Sequence, residues 1–425
     1  MGYTKLNIYN ISDLHGVILE SRRSAGLLRT ASYLREEIQK NPNSIIIAGG
    51  DIYSGTYFSK LTQGKVINLI FNSLNLTCLG LGNHELALAD KLKTLEKEAS
   101  FPFVLANVYN KDNELMFAPY TVKEIGNLKV GIIATLGEKQ KDDLTSEIAS
   151  QIVVTDELET IREYSYRLRK KEKCDLVIVS SHSSDDSLKQ QLCYFNNKEK
   201  VDVLITSHTH EVFAYTFTKN KHKLINLSSG GYGEYLGVIE LVLKRRKIVD
   251  SKVNNLNTLG LPHNIYHQYQ EIISDYMRTN KDLWKVVGRV KNNYFKEEFL
   301  RQVTNYILNK EEADFVLLNY GSIRSIAFPL IEGSEITESD LYEINPFSNY
   351  LYKIEIDRNT LNNYLNQYYS ATYLHSKDIL RKEKYNVVIN DFLKDKYFTF
   401  SLKEKKLVKV TDYIKEMLAK ELLWG

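Results

Sequence analysis

Apolar runs alternate with amphipathic helical patterns through roughly the first 245 residues of the chain. Lys5–Ile11 reads as a strand, and Ala25–Lys40 as a helix with Leu28, Ala31, Leu34 and Ile38 on one face. Pro42 stops that helix, and Ser44–Ala48 is a second, fully apolar strand. Further strands are predicted at Thr77–Leu81, Lys129–Ala134, Asp175–Ser180, Val201–Thr206 and Gly237–Leu243, with a helix over Glu157–Lys173. Helices set between buried strands predict an α/β sandwich with a mostly buried sheet. Residues 244–256 (KRRKIVDSKVNNL) turn polar, and His263–Thr279 reads as a connecting helix. A second pattern starts near residue 283, with a helix over Lys296–Asn309 and a strand at Asp314–Asn319. The expected division is therefore 1–256, a connector over 257–282, and a smaller domain over 283–425.

Composition narrows the class. At 425 residues the chain is too long for one core, which also implies two domains. A net charge of +3 gives no reason to expect a nucleic-acid polymer or an anionic membrane as partner. No apolar stretch approaches the length that spans a bilayer. Cys78, Cys174 and Cys193 form no CxxC pair, and Cys78 and Cys174, in or beside strand-like runs, read as buried small hydrophobes, as in a reducing compartment. A cytoplasmic location is expected; the alternative is an exported protein whose leader is absent from this sequence.

Five short clusters carry the chemistry. Asp13 and His15 (SDLHG), Asp51 (AGGDIYSG), Asn83 and His84 (LGLGNHE), His182 (SSHSS), and His208 and His210 (TSHTH) each follow an apolar run. Strand ends are where open α/β sheets place their sites. Singly, a D-x-H is usually a turn, an H-x-H a surface or core feature, and Asp51 a cap. Jointly they form the pattern of a two-metal hydrolytic centre, in which a shared carboxylate holds two cations roughly 3.5–4 Å apart. Asp51 is the natural bridge, because Gly49 and Gly50 let backbone approach closely. Water activated by such cations is the expected nucleophile.

In this order the clusters resemble the calcineurin-like metallophosphoesterases. Asn319-Tyr320-Gly321-Ser322-Ile323-Arg324 is similar to the N-x-G-G-x-R motif of the 5′-nucleotidase family, and Asn345-Pro346-Phe347-Ser348-Asn349 to its P-F-x-N. FPFVLANV (101–108) and SGGYGEYLG (229–237) also fit. The resemblance implies a four-layer αββα sandwich with a second, smaller α+β domain. It implies one metal on Asp13, His15, Asp51 and His210, and a second on Asp51, Asn83, His182 and His208. The two divalent ions would be Mn²⁺, Zn²⁺, Fe²⁺ or Co²⁺. His84 would donate to the phosphoryl oxygen as charge builds there. Arg324, Asn319, Phe347 and Asn349 would bind the substrate, a small phosphorylated molecule of nucleotide type, which the second domain swings to the metals. The expected activity is release of phosphate from a nucleotide by a metal-bridging hydroxide.

Three departures from the family pattern bear on specificity. Ala87 stands where G-N-H-E-F-D would place the Asp that orients His84, leaving Asp90 or Glu85 as substitutes. The glycine-rich loop that supplies a second stacking aromatic is missing from Val387–Phe400, where Tyr397 or Phe398 is the replacement or simply a strand residue. Arg289, Lys291 and Arg301 do not align with the family's additional arginines. These departures keep open a cyclic-nucleotide phosphodiesterase, a nucleotide-sugar hydrolase, a phosphatase for another metabolite, or a binding protein with structural metals.

Overall fold

The structure is a computed structural model that describes residues 3–347, 349–369, 372–377, 382–398 and 403–422. Two compact units emerge, Met1–Ser274 and Asp275–Gly425. In the first, two six-stranded mixed sheets face each other. One runs Lys247–Asn257, Tyr235–Lys244, Tyr3–Ile11, Ser44–Ala48, Cys78–Gly80 and Phe103–Val104; the other Val212–Lys219, His222–Ser229, Val203–Ser207, Leu176–His182, Leu128–Leu136 and Tyr120–Ile125.

Side-chain alternation explains how the layers stack. Leu6, Ile8, Ile45 and Ile47 of the first sheet pack against Ile132, Ile178, Val203 and Ile205 of the second. Ile133, Val177 and Val179, one residue out of phase, pack with Ile161 and Leu168 of the outer helix Glu157–Lys170. Both faces of these strands are buried, which is why they read as continuous apolar runs. Tyr3–Ile11 pairs in parallel with Ser44–Ala48, and Leu176–His182 in parallel with both of its neighbours. Parallel pairing brings the C-terminal ends of strands from both sheets to one edge of the sandwich.

The polar stretch 244–256 is mostly an edge strand, Lys247–Asn257, paired antiparallel with Tyr235–Lys244. Ile248 and Val253 reach the inter-sheet core while the charged residues meet solvent, the pattern expected of a strand with one wet face. The hairpin Val212–Lys219/His222–Ser229 and the strand Tyr120–Ile125 likewise add antiparallel edges. The connecting helix begins at His267 rather than 263. The stretch before it is stitched to the first helix, Gly26–Lys40. Arg29 donates to the carbonyls of Thr258 (3.1 Å) and Leu259 (2.7 Å) and lies 3.0 Å from His263 Nδ1. Ser32 Oγ accepts from Tyr266 N, Arg35 covers the Tyr266 ring, and Tyr269 reaches Ser73.

The second unit is α+β. Its five-stranded sheet runs Thr372–Ser376, Phe315–Asn319, Lys384–Asn390, Tyr350–Asp357 and Glu404–Lys409. Val316 and Leu318 pack under the helices Lys296–Lys310 and Val410–Leu422, while Phe315 and Leu317 face Leu361, Tyr364 and Leu393. The stretch expected to hold a replacement aromatic turns from strand into the helix Asp391–Tyr397, and residues 399 and 400 lie outside the described residues. Tyr397 ends that helix against Tyr368, and Phe398 is buried against Tyr364, so neither is a strand residue. Among the described residues no helix is long and apolar enough to cross a membrane.

Candidate metal centre

The five clusters converge where the parallel strands end. Asp13 and His15 follow Tyr3–Ile11, Asp51 follows Ser44–Ala48, Asn83 follows Cys78–Gly80, His182 closes its own strand, and His208 follows Val203–Ser207. Asp13, His15, Asp51, His208 and His210 all have positive φ, between 48° and 84°. Outside glycine this region is sparsely used, though Asp and His tolerate it better than most. Its concentration here bends each loop sharply enough to turn its side chain back over the strand ends.

The donors fall into sets whose ligand atoms lie within 4.8 Å of one another: Asp13 with His15 and His210, Asp51 with His182 and His208, and His15 with Asp51 and His84. His15 Nε2 and His210 Nε2 are 3.0 Å apart, and His210 Nε2 is 3.7 Å from Asp13 Oδ1. His182 Nε2 lies 3.2 Å from Asn83 Oδ1 and 3.4 Å from Asp51 Oδ2. Nitrogens and oxygens that crowd together at this spacing have the reach to share a first-row divalent cation, so the residues fit two such ions. Asp51, adjoining both His15 and His182, stands between the two sets. Gly82 accounts for part of the closeness: a Cβ there would come within 2.3 Å of Asp51 Oδ1 and 2.7 Å of His182 Nε2.

Burial and mutual charge polarise the cluster. Burial pushes Asp13 up to about 8, helped by the charges of Asp51 and Glu85 and opposed by His182. Burial acts the same way on Asp51, but His182 and His84 outweigh it and hold that carboxyl well below the usual range. His182, despite its burial, is raised to about 10 by Asp51, while burial and His182 lower His208 to about 4. A cation among these groups favours the deprotonated form of each.

His84 sits at the open side, its ring edge-on to His15 at 5.0 Å and its Nε2 3.9 Å from Asp51 Oδ2. Its backbone N–H donates to Asp51 Oδ1 at 2.9 Å. Glu85 is not the substitute for the missing Asp, because both its oxygens accept from backbone amides. Two neighbours escaped the sequence reading. Asp143, from the polar run EKQKDD, lies 3.6 Å from His208 Nε2. Tyr232 places its ring about 5 Å from both His15 and His210, and its N–H donates to the Asp13 carbonyl; the SGGYGEYLG stretch was its only signal.

In the second unit Arg324 lies over Phe347, its Cζ 5.0 Å from the ring centre. Lys296, unmarked by the sequence, lies over Tyr320 at 3.8 Å, and Tyr320 hydrogen-bonds Glu297. Burial and the nearby Arg324 lower Lys296 to about 8. Asn319 and Asn349 are engaged internally: Asn390 donates to Asn319 Oδ1 at 2.7 Å, and Asn349 donates to Asp391.

Residues 6–212 match the family model described as calcineurin-like phosphoesterase, and residues 285–380 match that of the 5′-nucleotidase C-terminal domain. The chain belongs to the 5′-nucleotidase family. Its first unit has the metallophosphoesterase sandwich fold, two mixed sheets, and its second is the smaller α+β domain. A 2′,3′-cyclic-nucleotide 2′-phosphodiesterase/3′-nucleotidase of Salmonella typhimurium is 28% identical over 280 residues, 56% of this chain and 43% of that protein. The snake venom 5′-nucleotidase of Crotalus adamanteus is 24% identical over 361 residues, 76% of this chain and 58% of that one. The chain thus spans about half the length of these relatives. The crystal structure of a 5′-nucleotidase precursor from Thermus thermophilus shares the fold, with a TM-score of 0.84 at 17% identity over 98% of this chain and 96% of that one.

Proposed function

We propose that this family member is a phosphomonoesterase of 5′-nucleotidase type, releasing phosphate from a nucleoside monophosphate. The observation that carries the reading is the pair of donor sets around Asp51. Asp13, His15, Asp51 and His210 would hold one divalent cation, and Asp51, Asn83, His182 and His208 the other; Mn²⁺, Zn²⁺, Fe²⁺ and Co²⁺ all suit these ligands. When bound, two such ions supply Lewis-acid activation of water and neutralise phosphoryl charge.

The chain's own residues do the rest. His84, at the open side of Asp51, donates a hydrogen bond to a phosphoryl oxygen as negative charge grows on it. Within the second unit, Arg324 offers a planar fork suited to a phosphate, and Lys296 a second positive charge beside it. Phe347, with Arg324 over its ring, is the aromatic offered to a base, a stacking contact worth roughly 1–3 kcal/mol. Asn319 and Asn349 shape this surface through Asn390 and Asp391.

A second reading, a 2′,3′-cyclic-nucleotide phosphodiesterase, is favoured by the match to the Salmonella relative. Phosphate release by the Mn²⁺-supplemented protein from AMP, UMP, sugar phosphates and an aryl phosphate, together with cleavage of UDP-glucose to UMP and glucose 1-phosphate and ring opening of 2′,3′-cyclic AMP, separates the two. Preference for AMP or UMP, lost on chelation and in Asp51→Asn, is the expected outcome. Turnover indifferent to chelation overturns the metal mechanism, and preference for the cyclic substrate selects the second reading.

A further inference from the structure

We infer that Glu85 is a positioning residue that assembles the metal centre before any metal arrives. Its side chain is fully buried, and both of its oxygens gather backbone. Oε2 accepts from the amides of Asp51 (2.6 Å) and Gly82 (3.0 Å), and Oε1 from those of Ile52 (2.7 Å) and Tyr53 (3.2 Å). Four converging N–H dipoles offset the cost of burying one negative charge. One carboxylate thereby ties the Asp51 loop to the segment that carries Asn83.

The tie extends further. The same loop offers its carbonyls to a third segment: Asp13 N donates to Gly50 O, His15 N to Asp51 O and Gly16 N to Ile52 O, at 2.8–2.9 Å. The Gly49 carbonyl in turn accepts from Ser207 Oγ at 2.7 Å and lies 3.2 Å from His182 Nδ1. Amides on one edge of residues 50–53 are held by Glu85, and carbonyls on the other edge hold the Asp13 and His15 loop. Asp51 itself sits at a φ of 54°, a conformation that persists only when its surroundings over-determine it. Glu85 supplies that determination through the Asp51 amide and the two that follow it.

Replacing Glu85 by Gln keeps the shape but turns one acceptor into a donor, which must then face two amide N–H groups. The inference rests on the metal-centre reading, so metal binding is measured apart from turnover. In titration calorimetry of the apoprotein, Glu85→Gln is expected to bind Mn²⁺ at least tenfold more weakly than wild type. At saturating Mn²⁺ its kcat should fall while KM for an aryl phosphate stays within twofold. Folded Glu85→Gln protein with wild-type Mn²⁺ affinity overturns the proposal. Amide exchange in the wild-type apoprotein gives a second, mutation-free readout. The N–H groups of Asp51, Ile52, Tyr53 and Gly82 should already be protected without metal; protection that appears only on Mn²⁺ loading overturns the clamp. Wild type that fails to bind Mn²⁺ while those amides are protected sinks the metal reading and leaves the clamp standing.

Discussion

Lys296 shows how a residue with no motif around it acquires a testable role. Its ordinary pKa lies far above neutrality, but burial and Arg324 bring it to about 8. Below that value it is charged; as pH rises through it, the charge that the proposed phosphate contact needs is lost. The kcat/KM for a nucleoside monophosphate should therefore fall through about pH 8 by an amount that Lys296→Arg abolishes, since a guanidinium stays protonated. Superimposable pH profiles for the two proteins would remove Lys296 from the binding surface. The candidate metal donors were legible as a cluster because each is a ligand-type side chain close after an apolar run, a signal that survives without coordinates. Lys296, Tyr320 and Asp143 were not, because their significance lies in contacts made in the fold: Lys296 read only as the start of a helix and Tyr320 only as an unspecified position of a motif. Asn319 and Asn349 were legible as motif residues, yet their engagement with Asn390 and Asp391 was not.

Among the elements, the buried parallel strands declared themselves and the antiparallel edges did not. Leu176–His182 is apolar on both faces because it is covered on both, whereas Lys247–Asn257 alternates charge with hydrophobe and passes for a linker. Helix boundaries followed their caps. The helix Glu157–Lys170 starts where Asp156 accepts from Glu159 N at 2.7 Å, with Glu157 and Glu159 in its first turn and Arg167, Arg169 and Lys170 in its last. Asp156→Ala should cost about 0.5–2 kcal/mol in urea unfolding. It should leave kcat unchanged, because the helix lies behind the sheet and bears none of the proposed ligands. A change in Mn²⁺ affinity in that variant would mean that the helix tensions the His182 strand after all.

For the whole molecule, the stitching of the chain beyond the last strand sets a limit on modularity. The sandwich that carries the candidate metal centre is complete as a sheet at Asn257, and a designer seeking to graft it onto another domain would be drawn to cut there. Arg29 forbids that junction. Its guanidinium is buried, and its acceptors include the carbonyls of Thr258 and Leu259, beyond the last strand. Removing them would leave an under-satisfied buried cation, a loss of several kcal/mol. Tyr269, also buried, would go too, with its bond to Ser73. A fragment ending at Asn257 should be insoluble or melt without cooperativity, whereas one ending at Ser274 should melt cooperatively in calorimetry; equal behaviour of the two would show the stitching to be dispensable. The transplantable part is thus longer than its sheets, and the tail after the last strand travels with the sandwich as its fastening.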